Sequence, residues 1–219
     1  MEINKTSIYK RYVYRILKAL TRCLQSPMFE VRWQYWNLRD KLFVKKVGKY
    51  YKYHGEVYPE YLMHGNAMRF ICDIANKYCQ GNGIDIGAGQ WPLEGAIPIE
   101  DKEEQNAYNL DYFEDNSLDY IFSSHCLEHL EQWKDALKLW IRKLKIRGVL
   151  FLYLPHESMK MWRPSGPWAR HHHLWIPTVE KVNPFLKQNG MEILEYNPDK
   201  DEAWSFHIVS KKLKKTSFK

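Results

Sequence analysis

The chain has 219 residues, 45% hydrophobic and 27% charged, an ordinary composition for one α/β domain with a real core and a small appendage. No apolar run is long enough to cross a bilayer, and the opening "MEINKTSIYK" lacks the apolar core of a signal peptide, so a cytoplasmic protein is expected. The net charge of +7 is uneven: residues 1–53 hold 13 Lys/Arg against three acids, a local +10 that leaves −3 for the remainder. Cys23, Cys72, Cys79 and Cys126 form no CxxC pair and fall in apolar-periodic segments, as buried reduced thiols do; a zinc site built on them is not expected.

The spacing predicts an amphipathic helix over 7–24. Ile8, Tyr12, Ile16, Leu20 and Leu24 share an apolar face, with Arg11, Arg15, Lys18 and Arg22 opposite. Three roles fit it: packing on the domain with a solvated basic face, lying on an anionic membrane surface, or contacting nucleic acid. On a membrane each basic residue would add about 1 kcal/mol. The next stretch, "VRWQYWNLRDKLFVKKVGKYYKYHGEVYPEYL", stays basic and aromatic and leaves all three open, since aromatics at that density also cap substrate pockets. Residues 1–60 are read as a basic, helical N-terminal extension, and 61–212 as the main domain.

The character then changes. A helix is predicted through "HGNAMRFICDIANKYCQGNG", with Ala67, Phe70, Ile71, Ile74, Ala75 and Tyr78 inward and Gly81 and Gly83 closing it. Strands follow at "GIDIG", "AIPI", "LDYIFS" and "VLFLYLP". Before the last of these comes a helix through "EQWKDALKLWIRKLK", apolar along Trp133, Ala136, Leu137, Trp140, Ile141 and Leu144. An irregular Pro/Trp/His segment (156–177), a helix through "TVEKVNPFLKQNG" and two strands, "MEILEYN" and "SFHIVSKK", complete the domain; 213–219 reads as a tail. Strands alternating with helices imply an α/β domain, its mostly parallel sheet covered on both faces.

In such a sheet ligands sit beyond the carboxyl ends of the strands, where strand order reverses. The stretch "GIDIGAGQWPLEGAIPIE" (83–100) places Asp85 to Gly89 there. Gly87 and Gly89 allow close backbone approach and positive φ, although a tight strand-to-helix turn would use them equally. Glu100 ends the second strand, placed to accept hydrogen bonds from ribose hydroxyls. There is no GxGxxG and no Lys-Ser/Thr pair, and an acid stands where an anion would bind. A cofactor with a ribose and a cationic centre, and without phosphates, fits better than a dinucleotide.

Three runs together, Asp85-Ile86-Gly87-Ala88-Gly89, Phe113-Glu114-Asp115-Asn116-Ser117-Leu118-Asp119 and Ser123-Ser124-His125-Cys126-Leu127-Glu128-His129-Leu130, resemble the class I S-adenosylmethionine-dependent methyltransferases, especially their small-molecule and sugar branch. The likeness continues in "HLWIPTVEKVNPFLKQNGMEILE" (173–195) and covers roughly 65–211, leaving the basic N-terminus unexplained. It implies a Rossmann-like, doubly wound, mostly parallel seven-stranded sheet with an antiparallel last strand, and S-adenosylmethionine as cofactor. Asp85, Gly87 and Gly89 would hold its methionine end and Glu100 its ribose, with Ala88 and Ser124 in the same set. Asn109 and Leu110 would meet the adenine, in a stretch where relatives carry acids and this chain carries Asn106 and Asn109. Trp91, followed by Pro92, replaces a small residue and is expected to wall the pocket.

Methyl transfer needs a positioned nucleophile and, for a hydroxyl acceptor, is helped by a base. His125 and His156 follow strands bordering the crevice and are candidate bases, with His173 and Trp175 closing over the acceptor; each is equally readable as structural. His129, Trp168 and His172 are expected to line the substrate pocket, 156–177 forming a lid. Imidazoles suit zinc or nickel, but the adjacent histidines His171 to His173 cannot easily converge on one ion, so no metal is expected. The leading reading is methyl transfer to a small molecule or sugar, at oxygen. The alternatives are an RNA methyltransferase guided by the basic N-terminus, though the sequence lacks the Asn/Asp-Pro-Pro-Tyr segment of such sites, and a non-catalytic module docking through residues 1–53 on a membrane or nucleic acid.

Overall fold

The computed structural model describes residues 29–214. The amphipathic helix expected over 7–24, Cys23 and residues 215–219 lie outside the described residues. The chain divides into two compact units, Met1–Met63 and His64–Lys219. In the first, helix α1 (Phe29–Phe43) leads into strands β1 (Lys45–Val47), β2 (Tyr50–Tyr53) and β3 (Glu56–Pro59), a three-stranded antiparallel sheet.

The reading of this stretch as helical is thus corrected over 45–59. Two-residue turns decide it. Gly48 has φ +59, and His54 and Gly55 have φ +48 and +83, the left-handed backbone of tight hairpin turns, between strands rich in Tyr and Val.

In the second unit a 3₁₀ turn (Ala67–Phe70) precedes α2 (Cys72–Tyr78), where one continuous helix was expected. Strands β4 (Gly83–Ile86), β5 (Ile97–Ile99), β6 (Leu118–Ser124), β7 (Leu144–Pro155), β8 (Met191–Asn197) and β9 (Ser205–Lys212) form one sheet, with α3 (Trp133–Lys143) and α4 (Val179–Gln188) between strands. The order is β5-β4-β6-β7-β9-β8; β5, β4, β6 and β7 are parallel and β9 runs antiparallel to both its neighbours.

The seven-stranded sheet is corrected to six among the described residues. In the 100–117 stretch, Asn106 accepts from the Tyr108 N–H and Asn109 from the Asp111 N–H, turns that compete with strand pairing. Beyond β5, Pro98 brings no N–H to the edge.

Side-chain alternation builds the two layers. Ile121 on β6 and Leu150, Leu152 and Leu154 on β7 face one way, with Ile84 and Ile86, against Ala136, Leu137, Trp140 and Ile141 of α3 and Val182 and Leu186 of α4. Tyr120, Phe122, Phe151 and Tyr153 face the other way, against Ile71 and Ala75. Because β4 has β5 on one side and β6 on the other, strand order reverses at its carboxyl end. Cys72, Cys79 and Cys126 are free thiols.

One buried cation locks the far end of the sheet. Lys212, 1% exposed, donates from Nζ to the carbonyls of Ile141 (2.8 Å) and Leu144 (2.7 Å) and to Asn116 Oδ1 (3.0 Å). It satisfies carbonyls that the end of α3 leaves open and meets the negative pole of the helix. Lys212→Met is expected to remove about 2–4 kcal/mol of stability, since the carbonyls stay buried without a donor; chemical denaturation checks this.

Candidate active site

After β4 the chain turns at Gly87 (φ +79) and Gly89 (φ +57). The Gly87 N–H donates to the Ile99 carbonyl at 2.8 Å, tying the ends of β4 and β5 and setting Glu100 beside the loop. A Cβ on residue 87 would lie 2.6 Å from Cys126 Cβ, so glycine alone lets the loop after β4 touch the chain leaving β6. A Cβ on residue 89 would meet nothing within 4 Å: this side of the loop is open.

Asp85 sits beneath the loop, 1% exposed. Its Oδ2 accepts from the Leu93 N–H at 2.8 Å, whereas Oδ1 is buried with no hydrogen-bond partner among the described residues. Burial, aided by the Glu100 carboxylate and opposed by the Leu93 hydrogen bond, pushes its carboxyl up to about 7. Trp91 is 40% exposed, its ring over Gly65; Leu93 is the residue that covers Asp85. Leu110 is fully buried. Asn109 commits its amide to its own loop, accepting from the Asp111 N–H and donating to the Glu104 carbonyl, so its side chain is not poised for an adenine edge.

Across Cys126 lies a second polar group. β6 ends in half-buried Ser124 and then His125, held at φ +50. A 3₁₀ turn, Leu127–His129, follows and carries Glu128 into the interior. Glu128 is 0% exposed and neither carboxylate oxygen has a hydrogen-bond partner among the described residues. Three imidazoles surround its Oε1: His125 Nδ1 and His173 Nε2 at 3.7 Å, and His129 Nε2 at 3.9 Å. Burial pushes the Glu128 carboxyl up to about 8 and holds His125 and His173 down to about 3.

The candidate bases do not come out free. His125 Nε2 is 2.7 Å from Ser205 Oγ, which itself donates to the Ala203 carbonyl, so the imidazole donates and its proton is on Nε2. His156 Nδ1 accepts from the Ser158 N–H at 3.1 Å, within its own turn. The lone pair of His125 is thus on Nδ1, turned to the Glu128 carboxyl at 3.7 Å, and that of His156 on Nδ1, used within its own turn.

The segment expected to be a lid is fastened to the site. The Leu174 N–H donates to the Glu128 carbonyl at 2.9 Å and Trp175 Nε1 to the Leu127 carbonyl at 3.0 Å. Trp175 stacks on Trp133 at 4.6 Å between centroids, so it clamps the strap rather than lining a pocket. Trp162 and His125 meet edge to face at 5.1 Å between centroids, and Trp162 packs near Trp168. His172 is exposed, and its carbonyl accepts from His129 Nδ1 at 3.0 Å.

Residues 68–152 match the family model described as a methyltransferase domain. That stretch is a methyltransferase domain, and the chain is an enzyme. The enzyme is similar in fold to a SAM-dependent methyltransferase from Thermotoga maritima described as a possible histamine N-methyltransferase (18% identity, 69% of this chain and 92% of that one, TM-score 0.53). It is likewise similar to methyltransferases from Archaeoglobus fulgidus (18%, 70% and 97%, 0.51) and Mesorhizobium loti (13%, 68% and 100%, 0.51). No curated protein matches the chain.

The methyltransferase's cofactor is S-adenosylmethionine, and the residues present fit it: an orphaned buried acceptor on Asp85, an open glycine loop, and a second acid on the adjoining strand end.

Glu128 is the residue that sequence reasoning passed over. Its signal was an acid inside the apolar turn Leu127 to Leu130, where a solvated surface acid would break the pattern. Gly87→Ala is expected to lower the melting temperature by several degrees, from the positive φ and the Cys126 contact together; a thermal melt checks it.

Proposed function

We propose that the enzyme methylates an oxygen of a small molecule or sugar, with the cofactor held at the β4–β5 end and the acceptor against the histidine cluster. The observation that carries this is the Gly87–Cys126 contact, which brings the glycine loop up against the turn that carries the cluster. In this reading Asp85, Gly87, Ala88 and Gly89 hold the cationic amino-acid end of the cofactor, Glu100 takes the ribose hydroxyls, and Leu110 and Ser124 border it. When bound, the cofactor would supply a sulfonium methyl; the acceptor oxygen gains that methyl, its proton passes to the Nε2 lone pair of His129, and a neutral thioether leaves.

The oxygen preference is supported by the lone pairs of the cluster. His129 must donate from Nδ1, because its partner is a carbonyl, and so presents a lone pair at Nε2 beside the Glu128 carboxylate. The Nε2 lone pair of His129 calls for a donor, which a hydroxyl provides. His129, with its side chain 40% exposed, is the member a solvent-borne acceptor reaches first.

Calorimetry with S-adenosylmethionine tests the reading: the intact protein is expected to bind, and Asp85→Ala to bind at least about tenfold more weakly. No heat from the intact protein overturns it. Affinity for the cationic cofactor is expected to rise as pH increases through about 7, where Asp85 loses its proton and gains charge, and Asp85→Asn should flatten that profile. With an accepted hydroxyl substrate, His129→Ala is expected to slow transfer about 10²-fold or more, while His156→Ala stays within about threefold of the parent.

A further inference from the structure

Outside the cofactor loop, one buried group stands without any partner of complementary charge. Glu128 is fully buried, both its oxygens lack a hydrogen bond among the described residues, and the ring nitrogens that face it at 3.7 and 3.9 Å are too far to supply one. Both rings are held by a hydrogen bond to backbone. His129 Nδ1 donates to the His172 carbonyl at 3.0 Å, and His173 is hydrogen-bonded to the backbone of Trp162. The two rings meet edge to face at 4.5 Å. Oε1 or Oε2 of Glu128, one nitrogen of His129 and one of His173 all lie within 4.8 Å of one another.

We propose that Glu128, His129 and His173 bind a divalent first-row transition-metal ion. Two imidazoles and one carboxylate suit zinc and its neighbours, and the far nitrogen of His129, on the His172 carbonyl, supplies the outer hydrogen bond that orients a metal-binding histidine. Bonds of about 2.1 Å on a tetrahedron set ligand atoms about 3.4 Å apart, so closing the cluster takes side-chain shifts of no more than about 1.5 Å. His125 presents Nδ1 to the same carboxylate from the Ser205 side at 3.7 Å and is placed as a supporting residue.

Three protein ligands leave a position open. That position lies on the His129 side, where the side chain is 40% exposed. With the ion bound, His129 Nε2 is a ligand and no longer meets the hydroxyl; an acceptor hydroxyl in the open position is instead acidified by the ion and gives its proton to solvent on the exposed side. This role rests on the methyl transfer proposed above; the binding itself does not. The histidine triplet, then, does not converge on an ion as a group. Only His173 turns inward, and its co-ligands come from the turn after β6.

The test uses full-length protein stripped with a chelator and titrated with Zn²⁺ by calorimetry and with Co²⁺ by visible spectroscopy. The expected result is one ion per chain, with Co²⁺ giving the visible bands of a low-coordinate nitrogen and oxygen site. His129→Ala and His173→Ala are each expected to weaken binding by about 10-fold or more, while cofactor binding is retained. Glu128→Gln, of nearly the same shape, is expected to lose the ion with its melting temperature equal to or above that of the stripped parent; it decides the matter should a histidine variant fail to fold. Absence of binding, or equal affinity in all three variants, overturns the proposal. Cofactor binding measured on the same stripped protein separates the two readings: ion lost and cofactor kept removes only the metal, and the reverse removes only the methyltransferase assignment.

Discussion

A carboxylate taken out of water needs a proton, a donor or a cation, and Glu128 has been taken out of water completely. Much of the local architecture follows from that one placement. The turn carrying it begins at His125, whose left-handed backbone swings the chain inward directly after the strand. The strap returns at His173, and two hydrogen bonds, from Leu174 to Glu128 and from Trp175 to Leu127, seat it against that turn. Without the strap, Glu128 would meet solvent and need no special partner. With it, the carboxyl is forced toward neutrality, as its rise to about 8 records.

The second constraint is steric. Gly87 and Cys126 follow the ends of neighbouring parallel strands, and their loops touch only because residue 87 has no Cβ. Strand order reverses at β4, so this contact stands at the mouth of the crevice where open α/β sheets bind ligands. The acidic loop and the turn that leads into the histidine cluster therefore adjoin at one contact. Neither loop could be relocated without losing the other.

The alternation of aliphatic and aromatic faces on β6 and β7, and the amphipathic repeat of α3, made the main sheet legible, because burial on both faces writes itself as apolar runs. The glycine loop was legible for the same kind of reason: backbone approach demands glycine. The hairpins of 45–59 were not, although His54-Gly55 carried the turn chemistry, because basic residues on exposed strands hide the period. The missing edge strand traces to Asn106 and Asn109, which bond their own backbone instead of a neighbour's. Glu128 escaped notice because its role depends on a strap more than forty residues away. Trp175 escaped for the opposite reason: an aromatic near a cleft suggests a pocket wall, and only its stacking on Trp133 reveals a clamp.

The acids of the glycine loop also limit how the proposed transfer can work. A sulfonium loses its positive charge as the methyl departs, so an anion placed at the sulfur would favour the reactant over the transition state and slow the step. Asp85 and Glu100 can help only by acting where charge and hydroxyls persist throughout, at the ammonium and the ribose. Their positions on the end of β4 and just past β5, with Asp85 fixed by Leu93, hold them on the opposite side of the Gly87–Cys126 contact from the cluster. In the proposed transfer, binding strength and chemistry would therefore fall to different residues: acids on one side to hold the cofactor in either charge state, and the cluster on the other to act on the acceptor oxygen.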